Sequence, residues 1–546
     1  MLLRCYMNIL LNLRSNQCGS HQLWFNSLRH GLILTASICL STARAATWYA
    51  AVDGQSSSGT YASPWSVQFA VGKVPNNLLK PGDTVIFKDG GPYVCSEIHS
   101  AYSVGQALAF RISGTTSAKI TYRAESLWGF SFNGGILLPN TVSNLVFQNF
   151  RVFYSGSVKR IRTDELSHPG GINDFGVGNA ILHNLIENTG HPGIGSWKTT
   201  RGKEIAGNII RFTGFADYTG GYNGANRGSG MYLQNADNSP EALIEGNISY
   251  FNYTTGMKAY GNTDIWNFNF RHNITALNPE AGIFYHVDNY PSKGVKVASN
   301  FSWNSSPPIR IGYALGNGGH SGAIVTGNYA VDFGQPLQMV DGWSDTVWTN
   351  NVAVNLSDRY LWSLEVAGET SGDIASHTFD YNTYWAKDSG GFGSGPFYIK
   401  DASTSFSSWK SQVRGDSHST FTYGLPNGVV VKAFAPSRDP NFVHVSVFNW
   451  SKNAQTTVDL SAYFNAGDRL NIYDAQELPV SYTSLVYQGG TVVLDLARTS
   501  IAPMLGTFPG YTQSDHWSGF DPRFRAFVIH RGGNRPEPPS NLRVLK

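Results

Sequence analysis

The chain of 546 residues carries 14% charged and 13% aromatic side chains, 59 glycines and a formal charge of +3. Arg4, Arg14, Arg29 and Arg44 precede residue 46 with no acidic residue among them, so the remainder carries about −1, that is +3 less 4. A near-neutral, turn-rich chain of this size has ample material for a large all-β core, and its charge excludes an electrostatic case for nucleic-acid or membrane-surface partners.

Residues 1–45 read as a secretory leader. Arg29 and His30 precede an apolar run from Gly31 to about Leu40, and Ala43-Arg44-Ala45 is a small-x-small cleavage site. The run is too short to span a bilayer, so a secreted or periplasmic protein, free of the membrane after cleavage, is expected. Cys5, Cys18 and Cys39 leave with the leader, and Cys95 remains as the single cysteine, read as a small buried hydrophobe.

The next stretch contains Tyr49 followed by Gly54, then Pro64-Trp65, Pro81-Gly82-Asp83-Thr84 and Gly91-Pro92-Tyr93. These motifs resemble the first coils of secreted right-handed parallel β-helix proteins, the pectate-lyase-like superfamily of polysaccharide lyases and some glycoside hydrolases. Read from the residues, Pro81-Gly82-Asp83 forms a turn, and a short helix over 66–71 caps the open end of the first coil.

From Asn184 to Asn351 a phrase returns about every 26 residues, marked by Asn184, Asn208, Asn247, Asn273, Asn300, Asn328 and Asn351. A period in the twenties built of short strands indicates a solenoid whose coils bury their apolar sides only against one another. The asparagines are expected to form an internal amide ladder at a turn. Aligned on strand parity, Ile194, Met231, Met257, Ile283, Ile309 and Leu337 form one inward column. The positions between must face out.

Those outward columns carry Tyr232, Lys258, Phe284 and Arg310, and beside them Trp197, Gln234, Tyr260 and His286, with Asp288 on the same parity. At roughly 4.8 Å per coil, Lys258 and Arg310 would lie about 10 Å apart with Phe284 and His286 between them. Insertions in 150–183 and 209–229 are expected to wall a groove over this face.

Aromatic and cationic side chains in a long groove suit an acidic polysaccharide. Sugar rings stack on aromatic faces, and a guanidinium holds a uronate carboxylate. Lys258 is the first candidate base for β-elimination, His286 a second base or the acid, and Tyr232 a further acid, with Arg310 holding the carboxylate. Trp197, Gln234, Tyr260, Phe284 and Asp288 are expected to bind substrate. The resemblance implies a Lys or Arg base, often with calcium held by clustered acids. This sequence shows only Asp237 and Asp288 singly near the groove, so no metal or other cofactor is expected. A glycoside hydrolase, for which no convincing carboxylate pair stands out among Asp217, Asp237, Glu280, Asp288 and Asp341, and a non-catalytic glycan-binding solenoid are the alternatives.

The solenoid is expected over 46–423, ending in a short helix within 406–419. A small antiparallel β-sandwich follows over 424–510, then a linker or tail over 511–546. A monomer is expected.

Overall fold

Each repeat of the chain folds as one coil of three short strands, and the coils stack into three long sheets. The computed structural model describes residues 45–532 except 56, 100–104, 157–168, 215–227, 264, 288–293, 306, 313–319, 341–342, 358–361, 366–373, 388–394, 400–401, 437–438 and 498–520, with the backbone alone at 362–365. The leader expected in the first 45 residues and the cores of both insertions therefore lie outside the described residues. No helix among the described residues is long and apolar enough to cross a membrane.

One coil illustrates the rest. Ala242–Glu245 lies in the first sheet, Ile248–Tyr250 in the second and Thr255–Gly261 in the third. Each strand pairs in parallel with its counterparts in the coils before and after. The sheets hold 13, 12 and 12 strands. The molecule is a right-handed parallel β-helix with a smaller antiparallel region at its C-terminal end.

The turn from first to second sheet explains the asparagine period. In coil after coil it is two residues long, as in His183-Asn184, Gly246-Asn247 and His272-Asn273. The first residue is left-handed, with φ of 53° at His183, 60° at Gly246 and 55° at His272. The second is the ladder asparagine, which compensates the strain its neighbour stores. Asn273 Oδ1 accepts from Asn247 N at 2.9 Å and Asn247 Nδ2 at 3.1 Å, while Asn273 Nδ2 donates to Ile244 O at 2.8 Å and Asn300 Oδ1 at 2.9 Å. The ladder continues through Asn382, whose Nδ2 donates to Asp416 Oδ1 at 3.2 Å. Asp416 also accepts from Trp409 Nε1 at 2.8 Å, so the helix Phe406–Val413 closes the end of the coil stack. At the other end Ser66 caps the four-residue helix Val67–Ala70, within the expected range.

The inward column is fully buried from Ile194 to Leu337, which fixes the register read from parity. Cys95 is buried and unbridged, and burial pushes its thiol up to about 12.

Beyond the coils, Val429–Phe434, Phe442–Asn449, Phe524–Arg531, Arg469–Asp474 and Thr483–Val486 form a five-stranded sheet in that order. A strand pair, Gln455–Asp459 with Thr491–Asp495, completes the small sandwich around its own core. One expectation is corrected here. Residues 511–546 are not wholly a tail, because Phe524–Arg531 is the middle strand of the sheet, bonded on both sides. The sandwich packs against the solenoid, and from Ala46 onward the chain forms one compact unit. Phe442, Phe448 and Phe524 pack onto Ile248, Ile274 and Phe301 of the second sheet. This seam covers the second sheet and leaves the third to other uses.

Candidate functional site

The third sheet carries the candidate site on its outer side. Its cross-strand pairs put Tyr232 beside Lys258, Lys258 beside Phe284 and Phe284 beside Arg310, and in the neighbouring column Tyr260 beside His286. Parallel strands repeat side-chain direction in register, so a single column delivers a phenol, an ammonium, a phenyl ring and a guanidinium to one face.

Phe284 separates the two cations. Lys258 Nζ lies 5.1 Å from its ring centroid and the Arg310 guanidinium 5.5 Å. Lys258 also sits 4.6 Å from the Tyr260 ring. Ring faces attract cations, so these rings fix the positions of both charges without neutralising them. Arg310 is further oriented by Nε donating to Gly312 O at 3.1 Å.

Toward the N-terminal coils the face becomes aromatic. Phe175 stacks on Trp197 at 5.6 Å and 16°, and Trp197 meets Tyr232 at 5.3 Å. On the other side Tyr260 stacks on His286 at 5.8 Å, and His286 approaches His320 at 6.1 Å. The strip runs from a stacking surface to a cation pair.

The face is not open. Lys258 is 5%, Phe284 3% and His286 2% exposed, so the charged centre is sunk beneath its surroundings rather than spread on a solvated sheet. Trp197, Gln234, Tyr260 and Arg310 are half-buried, as the edges of a recess would be. Asp288 lies outside the described residues.

Two further residues belong to the site: Glu280, weighed from sequence only as a hydrolase carboxylate, and His320, not singled out at all. Glu280, in the turn before Ala281–Val287, donates its backbone N–H to Thr254 O at 3.0 Å. Burial raises its carboxyl above the ordinary value, while Lys258 and Arg310 pull it down, which puts the acid within electrostatic reach of both cations. His320 belongs to a two-strand extra with Trp343, outside the repeat, and no periodic signal marks it. Among the described residues no three His, Cys, Asp or Glu side chains gather as a metal-binding group, and Asp237 is exposed.

Fold and face together define a parallel β-helix with an aromatic, dicationic recess. No protein-family model matches the chain, and no curated protein does. Similar solved structures include a rhamnogalacturonan lyase, at 15% identity and TM-score 0.43 over 60% of this chain and 83% of that one. An alginate lyase from Paenibacillus is 14% identical with TM-score 0.38, covering 59% of this chain and 98% of its own. A lacto-N-biosidase from Eubacterium ramulus is 12% identical with TM-score 0.39, covering 73% and 68%. These are likenesses of fold, and what those enzymes act on is not carried to this chain by them.

Proposed function

We propose that the recess binds a uronate-containing polysaccharide and cleaves it by β-elimination, an activity suited to the extracytoplasmic location that the leader implies. The observation that carries this reading is the pair of cations held on either side of Phe284. Elimination needs one positive group to neutralise the uronate carboxylate and a second group, close by, to remove the proton on the adjacent carbon. Arg310 suits the first role, because a guanidinium pairs with a carboxylate in two parallel hydrogen bonds. Lys258 suits the second. Lys258, sunk in the recess against the Tyr260 and Phe284 rings, would take the proton in its amine form.

The step balances as follows. The carbon–hydrogen pair becomes the new carbon–carbon double bond, the proton passes to Lys258, and the glycosidic carbon–oxygen bond breaks. The departing oxygen takes a proton from Tyr232, one strand away from Lys258, with His286 the second donor in reach of the face. Phe175, Trp197, Gln234 and Tyr260 would hold the flanking sugars.

A hydrolase is the second reading, favoured by one observation: the carboxyl of Glu280 is held toward its acid form beside the site. A single assay separates the two. Acidic and neutral polysaccharides are digested while ultraviolet absorbance and reducing ends are followed together. Elimination produces both signals, and Lys258→Ala removes them. Reducing ends without absorbance, abolished by Glu280→Gln, would replace the lyase reading by the hydrolase.

A further inference from the structure

A cleft of about 1000 Å³ opens between the first coils and the C-terminal sandwich, on the first sheet and away from the columns of the third. One wall is the outer side of the early coils, with Tyr61, Arg123 and Gln148; the other is the sandwich, with Asn441, Asn471 and Tyr473. The volume is that of a small-molecule site, and junctions between packed units are where such sites concentrate.

Three features distinguish the cleft from a gap left by loose packing. First, its walls are fixed. Trp128 packs edge-on to Tyr473 at 5.3 Å, and His183 stacks on Phe442 at 4.0 Å, so sandwich and coils cannot slide without breaking the apolar seam. Second, its charges balance in number. Lys88, Arg123 and Arg531 face Asp89, Glu125 and Asp439. Lys88 Nζ donates to Tyr61 O at 3.2 Å, Asp89 accepts from Ser126 N at 3.0 Å and Oγ at 2.7 Å, and Arg531 pairs with Asp468 at 3.0 Å. Third, aromatic and amide side chains occur together. Tyr61 is 37% exposed, with Lys88 lying 4.3 Å from its ring centroid, and Tyr473 stands on the facing wall.

We infer that this cleft is a second, non-catalytic binding site for an uncharged oligosaccharide. Sugar hydroxyls both donate and accept, so they match a surface of amides, phenols and charges balanced in number, while their ring faces stack on tyrosine. The lining carries as many carboxylates as cations, so a uronate gains no net attraction here. The cleft would hold a neutral stretch or branch of a polymer while the third sheet engages an acidic one. Joined binding of that kind raises the effective concentration of substrate at the recess.

The test is titration calorimetry of the full chain with uncharged tetrasaccharides of β-1,4-galactose, β-1,4-glucose and α-1,5-arabinose, and with a galacturonate tetramer as the charged comparison. At least one uncharged tetrasaccharide is expected to bind. Tyr61→Ala and Gln148→Ala should each weaken that binding about tenfold, with unchanged melting temperature and unchanged turnover, and Lys258→Ala should leave it intact. No uncharged binding, binding indifferent to Tyr61→Ala and Gln148→Ala, or binding lost in Lys258→Ala would overturn the assignment. The last outcome would move the neutral sugar to the third sheet.

Discussion

His183, in a turn of the β-helix, lies flat on Phe442 of the sandwich, ring centroids 4.0 Å apart and planes 13° from parallel. Phe442 also meets His530 at 4.6 Å, and His444 faces the same seam. Burial lowers all three histidines: His183 well below its ordinary value, with His444 and His530 adding repulsion, and the other two to about 4. Asp439, 3.9 Å from His183, is too distant for a hydrogen bond and is itself raised by burial, with Arg531 opposing, so it does not rescue the charged form.

Stability should therefore fall with acid. The unfolded histidines take up protons near pH 6.5, folded His444 and His530 only near 4 and folded His183 well below its ordinary value, so the unfolded chain holds more protons as pH falls below 6.5. Each titrating histidine adds a slope of up to about 1.4 kcal/mol per pH unit, and stability lost on the way down is fully lost below about pH 4. Thermal unfolding at pH 7.5, 6 and 5 measures this. His444→Leu should flatten the dependence, and a flat profile in the unaltered protein would refute a histidine-loaded seam.

The asparagine ladder yields a sharper stability prediction. Asn273→Ala removes the acceptor of two bonds from Asn247, at 2.9 and 3.1 Å, and takes the amide donor from Ile244 O and one of two donors from Asn300 Oδ1, which keeps the Asn273 backbone N–H, in a fully buried turn. Stranded buried polar groups cost about 1–3 kcal/mol each, so a loss of at least roughly 3 kcal/mol is expected in urea unfolding. Asn273→Asp should be no better, since a carboxylate cannot donate to either acceptor. A cost below 1 kcal/mol would mean that the ladder is decorative.

That ladder was legible in the sequence because one turn geometry recurs without insertion, and so were the inward columns, because parallel register repeats side-chain direction. The docking of the sandwich was not read, although a mark was present. The residue after each ladder asparagine is apolar, as at Leu185, Ile209, Ile248, Ile274, Phe301 and Tyr329, and it faces outward into the seam. Ser249, Thr275 and Ser302, one position on, face inward and are buried. An apolar outer stripe over a polar inner one reverses the usual parity, and only a covering layer explains it. Phe524–Arg531 was missed because 498–520, which precedes it, lacks alternation. The sunken state of Lys258 depends on neighbouring parts of the chain that no column of the repeat encodes.

Arg211 ties coil to sandwich at one point. It donates to Glu187 at 2.7 Å and, from the same guanidinium, to Gln476 O at 3.1 Å and Leu478 O at 2.6 Å, all buried. Arg211→Leu leaves Glu187 to Arg151 alone and strands two carbonyls on the sandwich, and at about 1–3 kcal/mol for each stranded group a loss of at least roughly 2 kcal/mol is expected. The double variant Glu187→Leu, Arg211→Leu should recover part of that loss. Limited proteolysis of the sandwich strands reports the loosening, which should exceed any change within the coils.

Glu280 offers a test of the recess that does not depend on abolishing activity. Lys258 and Arg310 lower the Glu280 carboxyl through their charge, and the same coupling acts in reverse: ionised Glu280 favours the ammonium form of Lys258. Glu280→Gln removes that negative charge while keeping the shape. If Lys258 must be the free amine to take the proton, its titration moves to lower pH in the variant, and the rising limb of kcat/KM against pH moves with it. Arg310→Gln should shift the limb the opposite way, since losing a neighbouring cation makes the ammonium easier to keep, and should also weaken binding of the uronate. A limb that stays fixed in both variants would show that the group titrating in the rate is not Lys258, and the base would then be sought at His286.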